Sequence, residues 1–342
     1  MKRVPVVFIA FLAATLALSA CSSDEQKKQS HFAKGKQYFE KGEYKSAKIE
    51  FKNAVQIDPR FIPAHLMLGE TSLKLGDAQD AFRSYSAVAE IDPANTDAQI
   101  KLATFLLLGQ KYNDARKRVD DILAREPNNV EGLLLLATLH AHDENLFEAA
   151  NCFKKVVEIN SRETRAYLGL ARVLAQQGQP AAAEQALMQA VAIDPKSAKN
   201  RLALFSFHVG QRQFEKAEAE IRQVVADTPG NSDLLITMGN FYLGLRRIAE
   251  AEAAYQKAID VDPRNVKPYL VMAGFYAAAN QKDKTLAMYA KAIDLEPDNV
   301  NILHAVGRFH LSQGDLAEAE KKINQMLQKR PNYFPARMLK AE

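Results

Sequence analysis

The chain contains no tryptophan and only two cysteines, Cys21 and Cys152, in 342 residues. A disulfide framework is thereby excluded as the source of its stability. Charge of one sign is equally scarce: 45 Lys and Arg stand against 41 Asp and Glu, a formal net of +4 that falls to +2 without Lys2 and Arg3. So weak and dispersed an excess leaves no electrostatic footprint for nucleic acid. Signatures of catalysis are missing too. There is no phosphate loop, no dinucleotide fingerprint, no Gly-x-Ser-x-Gly elbow and no His-Glu-x-x-His, and no nucleophile is paired with a base. Of the seven histidines, none forms an i, i+4 pair of the kind that holds zinc, and His140 and His142 face different directions of a helix. No metal, cofactor or enzymatic activity is expected.

What the chain does have is a ruler. Pro59, Pro93, Pro127, Pro195, Pro229, Pro263, Pro297 and Pro331 lie on a 34-residue grid, and only Ser161 holds a grid position without being proline. Self-similarity at that period means a supersecondary unit of two helices, stacked in an array. With the grid proline as position 32, nine repeats run 28–61, 62–95, 96–129, 130–163, 164–197, 198–231, 232–265, 266–299 and 300–333. An interior proline costs a helix about 3 kcal/mol, and none falls mid-helix. Pro63, Pro268 and Pro335 sit in the first turn of a first helix, and Pro180 opens a second helix. Two residues after the grid position, Asn95, Asn129, Ser197, Asn231, Asn265 and Asn299 offer side-chain oxygens suited to cap the next helix.

Ahead of the array lies a leader. Lys2 and Arg3 precede an apolar run from Val4 to about Ala17, too short to cross a hydrocarbon core and suited to the core of a signal peptide. Leu18-Ser19-Ala20-Cys21 follows and resembles the bacterial lipoprotein box. The resemblance implies cleavage ahead of Cys21, lipidation of that cysteine and anchoring by several acyl chains, each buried CH₂ worth about 0.8 kcal/mol; the competing reading is an ordinary secretory leader. Ser22, where inner-membrane lipoproteins often carry Asp, favours the outer membrane with the array facing the periplasm. The organisation expected is a signal peptide over 1–20, a lipidated N-terminus and polar tether (SSDEQKKQ) over 21–29, the array over 30–333, and the start of a tenth first helix over 334–342.

Position 8 of the repeat is small in eight of nine cases, Gly35, Gly69, Ala103, Ala137, Ala171, Gly239, Ala273 and Gly307, and position 20 is alanine in eight, from Ala47 to Ala319. Phe51, Tyr85, Phe153, Tyr255 and Tyr289 recur at position 24, and Tyr38, Tyr242 and Tyr276 at position 11. This pattern resembles the tetratricopeptide (TPR) repeat, although the tryptophan that the family carries at position 4 is replaced, as by Tyr167 and Tyr269. The resemblance implies an all-α, right-handed superhelical solenoid of about nine helix-turn-helix units that binds other proteins. Phe205 at the small position of the sixth repeat, where overpacking costs roughly 1–3 kcal/mol, and Ser161 on the grid predict the least regular stacking over repeats four to six. The final FPARMLKAE follows the plan of IPAHLMLGE and reads either as a minimal cap over Ile323 and Leu327 or as the beginning of a longer array.

In a TPR superhelix the first helices line the concave face, with positions 2, 5, 9 and 12 pointing into it. Position 5 reads Phe32, Leu66, Ile100, Leu134, Leu168, Leu202, Ile236, Leu270 and His304; position 9 includes Lys36, Glu70, Thr104, Arg172, Asn240 and Arg308. Apolar anchors flanked by mixed polar groups suit an extended peptide or an amphipathic helix of a protein partner. The apolar stripe is open to a second reading, as packing between neighbouring helices. The Lys and Asn set with which some family members clamp a C-terminal carboxylate is not found at the matching positions. Cys152, on a second helix, reads as a small buried hydrophobe. Phrases such as KNAVQIDP and LGLARVLAQQGQPAAAEQAL most resemble the TPR lipoproteins of exosortase (PEP-CTERM) and exopolysaccharide systems. The function expected is a lipid-anchored periplasmic scaffold, without enzymatic activity, in envelope assembly; an assembly factor for pili or secretins and a regulator of cell-wall hydrolases are the alternatives.

Overall fold

In a computed structural model, residues 24–341 are described. Cys21, the cleavage motif and the leader lie outside the described residues. The chain divides after Ile193 into two compact units. In the first, first helices α1 (residues 24–40), α3 (Ile62–Lys74), α5 (Thr96–Leu108), α7 (Val130–His142) and α9 (Thr164–Gln176) alternate with second helices. These are α2 (Tyr44–Ile57), α4 (Ala78–Ile91), α6 (Tyr112–Arg125), α8 (Leu146–Ile159) and α10 (Pro180–Ile193). In the second, α11 (Ala198–Gly210), α13 (Ser232–Gly244), α15 (Val266–Ala278) and α17 (Val300–Ser312) alternate with α12 (Phe214–Asp227), α14 (Ile248–Val261), α16 (Lys282–Leu295) and α18 (Leu316–Lys329), and α19 (Phe334–Ala341) ends the series. No strand occurs among the described residues. The division falls in the turn between α10 and α11.

The turns follow the chemistry of the sequence at one end of each hairpin and depart from it at the other. All six expected caps form: Asn95, Asn129, Ser197, Asn231, Asn265 and Asn299 each accept a hydrogen bond from a backbone N–H in the first turn of the following helix. Between first and second helix, position 15 is left-handed in every repeat. Gly42, Gly76, Gly178 and Gly314 adopt it with φ of 73–77°, and so do Gln110, Glu144, Arg212, Arg246 and Asn280 with φ of 54–60°. The next residue donates back to position 11, as Lys111 N–H does to the Leu106 carbonyl at 2.8 Å and Arg247 N–H to the Tyr242 carbonyl at 2.9 Å. This six-residue closure satisfies helix C-terminal carbonyls that would otherwise be orphaned.

Position 4 has a second role beside packing. In five of the nine repeats its side chain donates to the carbonyl of the grid residue six positions earlier: His65 to Pro59 (2.9 Å), Gln99 to Pro93 (3.0 Å), Tyr167 to Ser161 (3.3 Å), Arg201 to Pro195 (2.9 Å) and Tyr269 to Pro263 (3.1 Å). A residue with no ring at all can therefore stand in for the family's tryptophan. Ser161 keeps this contact, so loss of the proline leaves the turn hydrogen-bonded.

Two expectations are corrected. Residues 24–29, read as a polar tether, are helical and belong to α1: Lys28 is buried to 9% exposure, pairs with Glu25 and Asp58 at 2.6 and 2.9 Å, and lies 4.6 Å from the centre of the Phe61 ring. Polar composition hid an i, i+3 pair and a cation–π contact to the next turn. Phe205 does not overpack. In three of the four repeats with glycine at position 8 it faces an aromatic ring at position 24: a β-carbon on Gly35, Gly69 or Gly239 would stand 2.4–2.7 Å from the ring of Phe51, Tyr85 or Tyr255. In the sixth repeat position 24 is Ile221, and Phe205 fills the vacated volume, 8% exposed and edge-on to Phe241 at 5.4 Å between ring centres. At the far end, Ala336 and Leu339 of α19 join Ile323 and Met326 in one buried cluster with Leu327 against it. Cys152 is half-buried rather than sealed in, and burial pushes its thiol up from the ordinary range.

Candidate interaction face of the first helices

Side chains at positions 2, 5, 9, 12 and 13 of successive first helices come together on one face, because residues three and four apart share a side of a helix. The face is described separately for each compact unit.

In the first unit, Phe32, Leu66, Ile100 and Leu168 are half-buried, Lys36, Glu70 and Arg172 are exposed, and Thr104 is half-buried with its hydroxyl turned back onto the Ile100 carbonyl. In the second, Leu202, Leu270 and His304 are half-buried and Asn240 and Arg308 exposed. Leu134 and Ile236 are corrected: at 9% and 5% exposure they are core residues, Ile236 packed with Val224, Val225, Leu234 and Leu235, and neither presents a surface to a ligand. Asn240 is also committed, accepting the Tyr255 hydroxyl at 2.8 Å.

The charges on this face divide by position. At position 2 four of the six charges are paired: Arg165 grips Glu131 with two nitrogens at 2.5 and 3.0 Å and holds Glu163 at 2.8 Å, and Lys267 pairs with Asp233 at 2.7 Å, while Asp97 and Lys199 have no ion pair among the described residues. Glu163 and Glu131 together raise the Arg165 pKa, so it stays a cation at any physiological pH. At position 9 the charged groups are left open. Lys36, Glu70, Arg172 and Arg308 have no hydrogen-bond or ion-pair partner among the described residues.

Two cavities open on the face in the first unit. One, of about 470 Å³, is lined by Leu73, Ile100, Phe105 and Leu108 with Asp97, Lys101, Thr104, Glu131 and Arg165. The other, of about 300 Å³, is lined by Leu107, Tyr112, Thr138, Ala141, His142, Arg172 and Gln176, with the rings of Tyr112 and His142 stacked 3.6 Å apart. Ile100, Thr104 and Arg172 were predicted on this face. Leu73 and Leu107 at position 12, which the repeat pattern places on this face, form with Leu108 at position 13 a second apolar row one turn beyond position 9; position 13 was not singled out, and Leu108 is 72% exposed. Tyr112, reaching in from a second helix, had no signal in the spacing of the first helices.

Among the described residues no group of three or more His, Cys, Asp or Glu side chains is placed to hold a metal ion. His65, His208 and His310 bond instead to the Pro59 carbonyl, Gln213 and Asp315. No described helix is long and apolar enough to cross a membrane.

Comparison with known proteins agrees with this geometry. Family models described as tetratricopeptide repeat match residues 72–139, 141–204, 175–238 and 283–342, and a second such model matches 29–61 and 232–265. A tetratricopeptide repeat protein from Parabacteroides merdae ATCC 43184 is similar in structure, with a TM-score of 0.56 and 20% identity over 69% of this chain and 94% of that one. The human IFIT1 dimer with PPP-AAAA is similar with a TM-score of 0.54 and 15% identity, over 83% of this chain and 68% of that one. Likenesses at such identities speak for the fold alone. Curated proteins give no significant match. The matched models span most of the sequence, and the chain belongs to the tetratricopeptide repeat family.

Proposed function

We propose that the protein is a non-catalytic scaffold, lipid-anchored through Cys21 at the periplasmic side of the outer membrane, which holds segments of other envelope proteins on the face of its first helices. The observation that carries this reading is the set of charges at position 9: Arg165, Glu131, Lys267 and Asp233 are paired within the fold, whereas Lys36, Glu70, Arg172 and Arg308 stand unpaired beside a half-buried apolar row. Open charges next to apolar cavities of ligand size are what a peptide or helix needs for orientation and affinity. The phrases KNAVQIDP and LGLARVLAQQGQPAAAEQAL favour an exosortase- or exopolysaccharide-linked assembly as the setting.

Crosslinking and pull-down from membranes test it. Leu168→Glu and Arg172→Glu should each lose partners that the unaltered protein retains, at unchanged helical content; retention of every partner by both variants would overturn the reading. For the anchor, Cys21→Ala should move the protein from the membrane to the soluble fraction and abolish labelling by radioactive palmitate. Unchanged fractionation would remove the lipid anchor from the proposal.

A further inference from the structure

The two cavities of the first compact unit share three helices and differ in charge. In the larger one, Glu131 is neutralised by Arg165, and Asp97 and Lys101, four residues apart on α5, carry opposite charges with no ion pair between them. Its open walls are aliphatic and aromatic: Leu73, Ile100, Phe105 and Leu108. The smaller cavity has no carboxylate in its lining, and its one full positive charge, Arg172, has no partner among the described residues. Thr138 cannot turn its proton to a ligand without releasing the Leu134 carbonyl, to which it donates at 2.8 Å. The stacked rings of Tyr112 and His142 form part of the lining.

The offset between the cavities is also defined. On α7 the lining moves from Glu131 to Thr138, and on α9 from Arg165 to Arg172. Seven residues at 1.5 Å each make about 10 Å along both helices, which is about three residues of extended chain at 3.3 Å each.

Resting on the scaffold reading above, we propose that the partner segment is bipartite: an aliphatic side chain enters the cavity of Ile100 and Leu108, and an Asp or Glu side chain about three residues away in an extended strand meets Arg172. The argument is one of charge complementarity. An unpaired guanidinium in a carboxylate-free recess favours an anionic group, repels Lys and Arg, and offers the planar fork that a carboxylate accepts with two oxygens. The apolar neighbour supplies area without discrimination, so the carboxylate decides which partners are chosen.

The test is selection from a random linear peptide library on the full chain, followed by titration of enriched peptides and photocrosslinking to map where they lie. Enriched peptides should pair an aliphatic residue with Asp or Glu about three positions away. Replacing that acid by its amide should weaken binding about 10- to 100-fold, the range of a charge-assisted hydrogen bond. On the Arg172→Gln protein the acid and amide peptides should bind alike, at unchanged melting temperature, and Arg172→Glu should reverse the preference toward Lys. Equal binding of acid and amide peptides to the unaltered protein, with crosslinks on α5, α7 and α9, would overturn this inference and leave the scaffold reading standing. So would loss of binding on amidation of the peptide C-terminus alone, which would mean that a terminal carboxylate is held. Failure to enrich any peptide, or crosslinks elsewhere, would overturn both.

Discussion

Gly239 and Tyr255 show at the scale of single residues how this array is kept in register. The ring lies where a β-carbon on residue 239 would stand, 2.4 Å from its nearest atom, and the Tyr255 hydroxyl is tied down on Asn240. Gly239→Ala should therefore cost about 1–3 kcal/mol by overpacking, read as a lower urea midpoint. Gly239→Ala with Tyr255→Leu should recover part of that loss, because the fifth repeat already combines Ala171 with Leu187. A different kind of coupling centres on Glu218, which accepts from Arg247 at 2.5 Å and from the Tyr242 hydroxyl at 3.1 Å and pairs with Arg222 at 2.6 Å. Arg247 is the main cause that lowers its pKa from 4.5 to about 2. A lowered folded-state pKa contributes stability that is complete above the unfolded value and lost as the proton returns. That contribution should disappear as pH falls from about 4.5 to about 2, and Arg247→Gln should flatten this limb of a melting-temperature profile against pH. Position 9 and position 2 illustrate the limit of reading residues one at a time: Arg165 and Arg172 are both arginines on one helix, and only the neighbouring Glu131 and Glu163 separate a structural cation from an available one.

At the scale of elements, the helix starts were legible and the first-to-second-helix turns were not. Asn and Ser at the grid plus two carry their cap in the side chain, so their role follows from chemistry alone. Asn231→Ala, which removes an acceptor from the Asp233 and Leu234 N–H groups, should destabilise by about 1 kcal/mol. Position 15 has no such signal, since Gln110, Glu144, Arg212, Arg246 and Asn280 adopt the same left-handed backbone as the four glycines. Strain there is about 1–2 kcal/mol for a residue with a β-carbon, and the extra chain entropy of glycine opposes its relief by about 0.4–1 kcal/mol. Arg246→Gly should thus raise stability by roughly 0.5–1 kcal/mol, measured by chemical denaturation, whereas Gly76→Ala should lower it. The tether was misread for a related reason. Residues 24–29 have no apolar period of their own, and their helix is held from outside by Asp58 and Phe61 of the following turn.

The whole molecule divides after Ile193, and in a repeat array stability is a sum of local and nearest-neighbour terms. Residues 24–193 expressed alone should accordingly fold to a helical, cooperatively melting species; a fragment without a thermal transition would show that its five hairpins need the rest of the chain. The number of repeats, their phase, the cap chemistry, the small residues at positions 8 and 20 and the family were all determined by the sequence, because a 34-residue period forces every unit to solve the same packing problem with the same residue types. The apolar row at position 5 was legible as a row but not as a site. Tertiary structure alone decided that Leu134 and Ile236 are buried while Ile100 lines a cavity, that Phe205 occupies the space an aromatic ring at position 24 would have filled, and that Arg172 remains open. Burial and pairing depend on what the neighbouring helices bring to a given point in space, and each cavity is lined by side chains from four helices whose separation along the chain carries no trace of their contact.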